Sequence, residues 1–421
     1  MTKAFGESSL KFASLSFGPD SDHNHATRGV SSLLEFEQAI QDKKVEISKQ
    51  RRQSFEKKRV TAIGKMTTVD IHTHIYPPSF MALLRSRTTV PYIRTDPCSP
   101  TSRLIILPND DDPSLPPSSR GRPIGPDYHD VTKKLEFMAT HNITTSVISL
   151  ANPWLDFLPS HEAAAAAKLI NNEMDEICAQ HEGRLFAFGT LPLSAPPSDI
   201  IAEVHRLRTL PHTRGVIMGT TGLGSGLDDP TLDPVWAALA ETSTLVFLHP
   251  HYGLPSSVYG PRASEYGHVL PLALGFPLET TIAVSRMFLS RVFGRFEGLR
   301  VLLAHSGGAL PFLAGRVESC VQHERSFGEE RRQNRKGLCE VFRTNLFLDA
   351  VIYSDVGLKT AVDSAGPDRV LFGECWLCLV HAWGHLSKDP QNQCSGSTWK
   401  HCESLMPHMC GAALPFKMCH E

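Results

Sequence analysis

The sequence predicts a (β/α)8 barrel, an α/β fold in which eight parallel strands alternate with helices. Three observations carry that expectation. Eight short apolar runs, mostly β-branched or aliphatic, are spaced between residues 69 and 373. Segments with helical periodicity separate them. Several runs end in histidine, and barrels of this kind build their chemistry at the C-terminal ends of strands.

Taken in order, the strands fall at Val69–Ile75, Thr145–Leu150, Leu185–Leu191, Gly215–Gly219, Thr244–His249, Arg300–His305, Leu346–Ala350 and Arg369–Gly373. Most are continuous apolar runs rather than alternating ones, as parallel strands buried on both faces require. Helical patterns cover Tyr128–His141 before the second strand and His161–His181, with its Ala-rich Glu162–Lys168, before the third. Further helices follow at Asp199–Thr209, Asp233–Ala240, Glu279–Phe296, Leu310–Glu324 and Asp355–Ser364. An open doubly wound sheet is the alternative, but no Gly-rich dinucleotide fingerprint follows the first strand. Residues 76–127 form a long first connection, rich in Pro and Arg. A loop of that length is functional or disordered, and in a barrel it lies over the mouth.

At 421 residues the chain is long enough for one large α/β domain and additional segments. Apolar residues make up 41% and the net charge is −2, which gives no electrostatic footprint for nucleic acid. A small-molecule substrate fits better. No run of about 18 apolar residues occurs, so no membrane span is expected. The first residues, MTKAFGESSLKFASLSFGPDSD, lack the apolar core and cleavage site of a secretory signal. Their Ser and Phe content is that of a mitochondrial presequence, but Glu7, Asp20 and Asp22 argue against one. Cys98, Cys178, Cys320 and Cys339 are scattered singly through the body, as in a reduced, cytoplasmic protein.

Three segments are expected. Residues 1–65 are a polar extension, disordered or helical. Within it Ser31–Arg59 carries Glu/Lys pairs at helical spacing, and Lys49–Arg59 is either a polyanion contact or a solvated face. Met66 sits just before the first strand, so either the extension lies outside the domain or the start codon is placed too early. Residues 66–373 form the barrel domain. Residues 374–421 carry six Cys, five His and three Trp with no apolar period. Cys375-x-x-Cys378 has zinc-knuckle spacing, yet the remaining intervals fit no zinc module. The favoured reading is non-native sequence from a missed splice junction or a shifted frame.

The chemistry starts at Val69-Asp70-Ile71-His72-Thr73-His74-Ile75. Side chains on a strand alternate, so His72 and His74 point the same way, about 7 Å apart along the backbone. That is half of a metal site. Taken alone, His-x-His is as often two polar residues on a half-exposed edge strand. Downstream, however, strand five ends at Phe247-Leu248-His249-Pro250-His251, strand six at Leu303-Ala304-His305-Ser306-Gly307-Gly308, and strand seven at Asp349. Four strands ending in metal-capable side chains favour the metal. His72, His74 and His249 would supply three imidazole nitrogens to zinc or another divalent ion and leave a position open. His305 is then either another ligand or a general acid/base beside the metal, and one carboxylate is wanted in addition.

The block from Val69 to Gly373 resembles the amidohydrolase-like decarboxylases of the aminocarboxymuconate-semialdehyde decarboxylase superfamily. The motifs are Asp70-Ile-His-Thr-His74, Leu185-Phe-Ala-Phe-Gly-Thr-Leu-Pro192, Phe247-Leu-His-Pro250, Gly275-Phe-Pro-Leu-Glu-Thr-Thr-Ile-Ala283 and Ala304-His-Ser-Gly-Gly308. Within that group the chain looks most like the fungal isoorotate (5-carboxyuracil) decarboxylases. The finer signatures are His74-Ile-Tyr-Pro-Pro78, Val147-Ile-Ser-Leu-Ala-Asn-Pro-Trp154, His249-Pro-His-Tyr-Gly-Leu-Pro255, Tyr259-Gly-Pro-Arg262 and Glu265-Tyr-Gly-His-Val-Leu-Pro-Leu-Ala-Leu-Gly-Phe-Pro277. The resemblance implies a barrel of the metal-dependent hydrolase type and a divalent metal, zinc first, on His72, His74 and His249. It implies non-oxidative loss of carbon dioxide from a planar carboxylated ring, 5-carboxyuracil to uracil, with no redox or organic cofactor. Arg122 would pair with substrate charge, Asn152 would hydrogen-bond the pyrimidine edge, Phe276 would cover the ring, and His305 would act beside the metal. The plainer readings of Arg122, Asn152 and Phe276 are a solvated loop residue, a turn residue before Pro153 and a core residue. The resemblance also implies a homo-oligomer, a dimer.

The resemblance ends at the eighth strand. Where the family continues Gly-Thr-Asp-His-Pro-Phe, this chain reads Gly373-Glu374-Cys375-Trp376. Cys375 stands where the family's metal-binding, proton-donating aspartate belongs. Glu374 is one position off and on a strand would face the other way. A Cys375 thiolate is able to ligate zinc but poorly mimics an acid that delivers a proton to carbon. The final helix of the barrel is missing as well, which would leave one flank of apolar surface uncovered. The expectation is therefore weak or absent turnover for this chain as written. Two alternatives stand beside the decarboxylase: a metal-dependent amidohydrolase, in which the metal activates water, and an inactive member of the fold.

Overall fold

The computed structural model describes residues 67–95, 101–114, 116, 120–324, 326–327 and 335–373. The expected extension 1–65 and tail 374–421, with Cys375, lie outside the described residues. The strands are β1 (Val69–Ile75), β2 (Tyr92–Arg94), β3 (Ser102–Ile105), β4 (Arg122–Ile124), β5 (Thr145–Leu150), β6 (Leu185–Thr190), β7 (Thr213–Gly219), β8 (Leu245–His249), β9 (Arg300–Leu303), β10 (Leu346–Asp349) and β11 (Val370–Leu371). The helices are α1 (Pro78–Ser86), α2 (Val131–Thr140), α3 (Ser160–Ala179), α4 (Pro197–Leu207), α5 (Asp233–Glu241), α6 (Phe276–Leu289), α7 (Val292–Arg295), α8 (Leu310–His323), α9 (Leu338–Thr344) and α10 (Asp355–Ala365).

Eight strands make one parallel sheet in the order β1-β5-β6-β7-β8-β9-β10-β11. Each neighbours the next in sequence, which is the winding of a barrel and not of a doubly wound sheet. A hydrogen bond from Ile71 N–H to the Phe372 carbonyl, 3.1 Å, links the two ends, so the barrel is nearly closed. The helices between strands bury one stripe each. On α3, Ala163, Ala167, Ile170, Met174 and Cys178 are buried at three- and four-residue spacing. Asp130 caps α2 by accepting the Thr132 N–H at 2.8 Å.

The connection over residues 76–127 differs from a structureless loop. It holds α1 and an antiparallel sheet in the order β2-β3-β4. Its strands are only three or four residues long, too short to show a period among Pro and Arg. Helix α9 also escapes the sequence reading, because a seven-residue helix spans barely two turns. Pro271–Leu289 is long and apolar enough to cross a membrane by length and composition, with mean hydropathy 1.3. Its α6 portion buries Thr280, Ala283, Val284, Met287 and Phe288 in the barrel core, so it is read as a barrel helix.

Candidate active site

Strand β1 carries an irregularity that matters for the site. Asp70 pairs with Ser146 and Thr73 with Ile148, three steps on β1 against two on β5. Ile71 and His72 thus face Val147 together, as in a β-bulge, and the alternation of side chains changes phase between Asp70 and His72. Asp70 ion-pairs with Lys134 of α2, Nζ to Oδ2 3.0 Å, while His72 and His74 join His249. One ligand nitrogen from each of these three buried histidines lies within 4.8 Å of the others.

Each imidazole is held through its Nδ1. His72 Nδ1 meets Asp349 Oδ2 at 2.6 Å, His74 Nδ1 meets Ser149 Oγ at 2.8 Å, and His249 Nδ1 donates to the Pro250 carbonyl at 2.8 Å. With Nδ1 so engaged, Nε2 is the nitrogen on each ring left to face a metal. His72 Nε2 is buried with no hydrogen-bond partner. A buried acceptor left in this way is costly unless something occupies the cluster, and a divalent cation fits that set of three nitrogens. Burial, then the mutual repulsion of the rings, pushes His74 and His249 well below the ordinary histidine pKa. Neutral imidazole is the form that binds metal.

Asp349 is not a member of the cluster, although it ends a strand as expected. It stands behind it. Oδ2 accepts from His72 Nδ1 and from His305 N–H at 3.0 Å, and Oδ1 accepts from Ser306 N–H at 2.7 Å and Val351 N–H at 3.1 Å. Burial raises its pKa, but the hydrogen bond and charge of His72, the charge of His305 and the Ser306 N–H outweigh that and hold it below the usual range. The same contacts hold the turn after β9. His305 lies just past the strand end rather than on it, and His305 and Ser306 both adopt left-handed φ, 54° and 53°. Gly307 and Gly308 continue with positive φ. The His305 ring sits 5.3 Å from that of His72 and 5.2 Å from that of His249, outside the three-nitrogen cluster. It is therefore placed beside the three-histidine cluster. Burial, then the nearby His72, depresses its pKa to about 4.

Phe276, at the start of α6, is half-buried with its ring 6.3 Å from His249 and 6.2 Å from His305. Asn152, in the segment after β5, spends its Nδ2 on the His251 carbonyl at 2.7 Å, and its own carbonyl accepts from the Tyr76 hydroxyl. Arg122 is on β4 of the small sheet, and its charge offsets part of the burial-driven rise in the Tyr76 pKa. Arg122, Tyr76 and Asn152 are thereby linked on the side of the first connection.

Several contributors were assigned no role from sequence, although Ser149, His251 and Glu279 lie inside the quoted motifs. Ser149 is a polar residue inside the apolar run of β5. His251, packed against Trp154 and stacked on Tyr252, is pushed by burial to about 3, and Asp156, 3.4 Å from its Nε2, is raised by burial to about 6. Glu279 accepts from His251 N–H at 2.8 Å and also from Gly253 N–H and Thr220 Oγ1, tying α6 to the segment after β8.

Residues 69–375 match the amidohydrolase family Amidohydro_2. A solved structure of Metarhizium anisopliae IDCase in apo form is 52% identical over 73% of this chain and 84% of that one, with a TM-score of 0.70. A 2-amino-3-carboxymuconate-6-semialdehyde decarboxylase of Dictyostelium discoideum is 24% identical over 72% of this chain and 80% of its own length. A dihydroxybenzoic acid decarboxylase of Polaromonas, solved with bound manganese, shares the fold at TM-score 0.57 and 18% identity, covering 81% of this chain and 97% of that one. With the family matching about three quarters of its length, the chain belongs to the amidohydrolase family, among members that are carboxy-lyases.

Proposed function

We propose that this chain is a metal-dependent, non-oxidative decarboxylase that converts 5-carboxyuracil to uracil. The observation that carries the reading is the cluster of His72, His74 and His249, each ring locked through Nδ1 with Nε2 directed to a common point. These three would hold zinc or another divalent ion. When bound, the metal would supply Lewis acidity to the ring oxygen and carboxylate of the substrate. The substrate assignment rests on the 52% identity to IDCase, an isoorotate decarboxylase.

The chain's own residues would do the rest. Arg122 would pair with the substrate's negative charge. Asn152 has committed Nδ2, so Oδ1 is the atom left to accept a ring N–H. Phe276 would cover the flat ring. His305 is neutral at neutral pH when the site is empty, and a bound anion would raise its pKa and let it carry a proton to the carbon that bears the carboxylate. The electrons of the broken C–C bond return to the ring as carbon dioxide leaves. The unpaired thiols Cys178, Cys320 and Cys339 support a cytoplasmic setting. The exposed side chains Val258, Val269, Leu272, Leu274 and Ile282 support a homo-oligomer, a dimer.

The test is to supply the full chain with Zn2+ or Mn2+ and 5-carboxyuracil, and to follow carbon dioxide and uracil. Both products are expected, and His305→Ala should lower turnover by about 10²–10⁴-fold while the metal stays bound. A ring-opened product instead would move the chain to the amidohydrolases. The second reading, an inactive member of the fold, is favoured by Cys375 at the expected aspartate position. Metal binding without any product would establish it.

A further inference from the structure

The Lys134–Asp70 pair is buried more deeply than stability alone requires. Lys134 is 5% exposed and Asp70 is fully buried. Desolvating two charges costs several kcal/mol, and an apolar pair of similar volume usually serves a core as well or better. An apolar pair cannot accept a hydrogen bond, however. Asp70 Oδ1 accepts the backbone N–H of His72 at 3.1 Å, while Oδ2 takes the Lys134 ammonium at 3.0 Å. The N–H so captured lies in the bulge, where β1 spends three residues against two of β5. The bulge puts His72 on the same side as His74 and Asp70 on the other. Without it, strict alternation would send Asp70, His72 and His74 to one face and bring a carboxylate into the cluster.

We propose that the buried Lys134–Asp70 pair is a positioning device for the metal ligands, its second carboxylate oxygen holding the His72 N–H in the bulge that turns His72 inward. Lys134 fixes the carboxylate from α2, so the helix that packs outside the strand sets the pose of a ligand inside the barrel. The inference rests on the reading of His72, His74 and His249 as metal ligands.

Two double variants of the full chain separate the acceptor from the charge. Asp70→Leu with Lys134→Met removes both charges and the acceptor. Asp70→Asn with Lys134→Met removes the charges and keeps an acceptor oxygen. Neither leaves a buried charge unpaired. Co2+ serves as the probe, since its visible spectrum reports coordination geometry, with circular dichroism and thermal melts as controls for folding. The Leu/Met variant should bind Co2+ about 10–100-fold more weakly with an altered spectrum, as loss of an outer-shell partner does elsewhere. The Asn/Met variant should recover affinity to within a few-fold and restore the spectrum. A purely structural pair would change the melts and leave both Co2+ readouts unmoved. The idea is overturned if Leu/Met binds Co2+ as the parent does, or if Asn/Met is impaired as much as Leu/Met or fails to fold. His72→Ala with His74→Ala is the separate control. If the parent binds no Co2+, or that control retains it, the metal reading itself fails.

Discussion

Three imidazoles brought into one cluster depend for their orientation on what stands behind each ring. Asp349 is the heaviest such support, because it serves His72 and the His305 turn with one carboxylate. Asp349→Asn should keep the acceptor at Oδ1 but turn an amide toward His72 and the His305 N–H. Metal affinity should fall about 10–100-fold, read by Mn2+ titration of the folded variant. An unchanged affinity would mean that His72 is oriented by its strand alone. The histidines themselves were legible in the sequence, because each terminates an apolar run. Their Nδ1 partners were not. Ser149, Asp349 and the Pro250 carbonyl are ordinary residues whose role exists only once β5, β8 and β10 lie beside each other.

At the scale of elements, the turn after β9 shows why boundaries mattered. Sequence reading extends that strand to His305, whereas the strand ends at Leu303 and the next residues bend into left-handed backbone. A non-glycine residue there costs on the order of 1 kcal/mol or more. The Asp349 contacts and the Ser306 Oγ bond to the Asp349 carbonyl, 2.7 Å, offset it. Gly308 closes the turn at φ 65°, and a Cβ there would collide with the Pro277 carbonyl at the start of α6. Gly308→Ala should therefore cost about 1–3 kcal/mol in chemical denaturation and lower turnover by displacing His305 relative to Phe276. Wild-type stability in that variant would show that the turn tolerates the shift. The bulge in β1 was likewise invisible. A bulge inserts a residue without changing residue types, and only pairing with β5 reveals it.

At the scale of the whole molecule, the barrel gathers the three histidines from β1 and β8, which lie far apart in sequence, so a metal bound there would be coupled to folding. Saturating the site at about 100 times its Kd should add roughly 2.7 kcal/mol of stability. Stripping the metal with a chelator should lower the melting temperature of the full chain and leave His72→Ala/His74→Ala unaffected. Equal shifts in both would locate the stabilising metal elsewhere. Closure of the barrel also bears on the site, since a Cβ on Gly373 would lie 2.8 Å from that of His72. The end of β11 therefore runs directly against His72.

The order of the eight barrel strands, and His72, His74, His249 and His305 as the residues to watch at their ends, came from the sequence itself. The reason is that apolar runs, helical periods and strand-end histidines are local patterns. The roles proposed for Arg122 and Asn152 came only from the family resemblance, and the small sheet that carries Arg122 was not legible at all. Tertiary structure alone decided which way each histidine faces, which group stands behind each Nδ1, and that His305 lies outside the three-nitrogen cluster. Those properties depend on pairing register and on partners many residues away, and no local pattern of residue types encodes either.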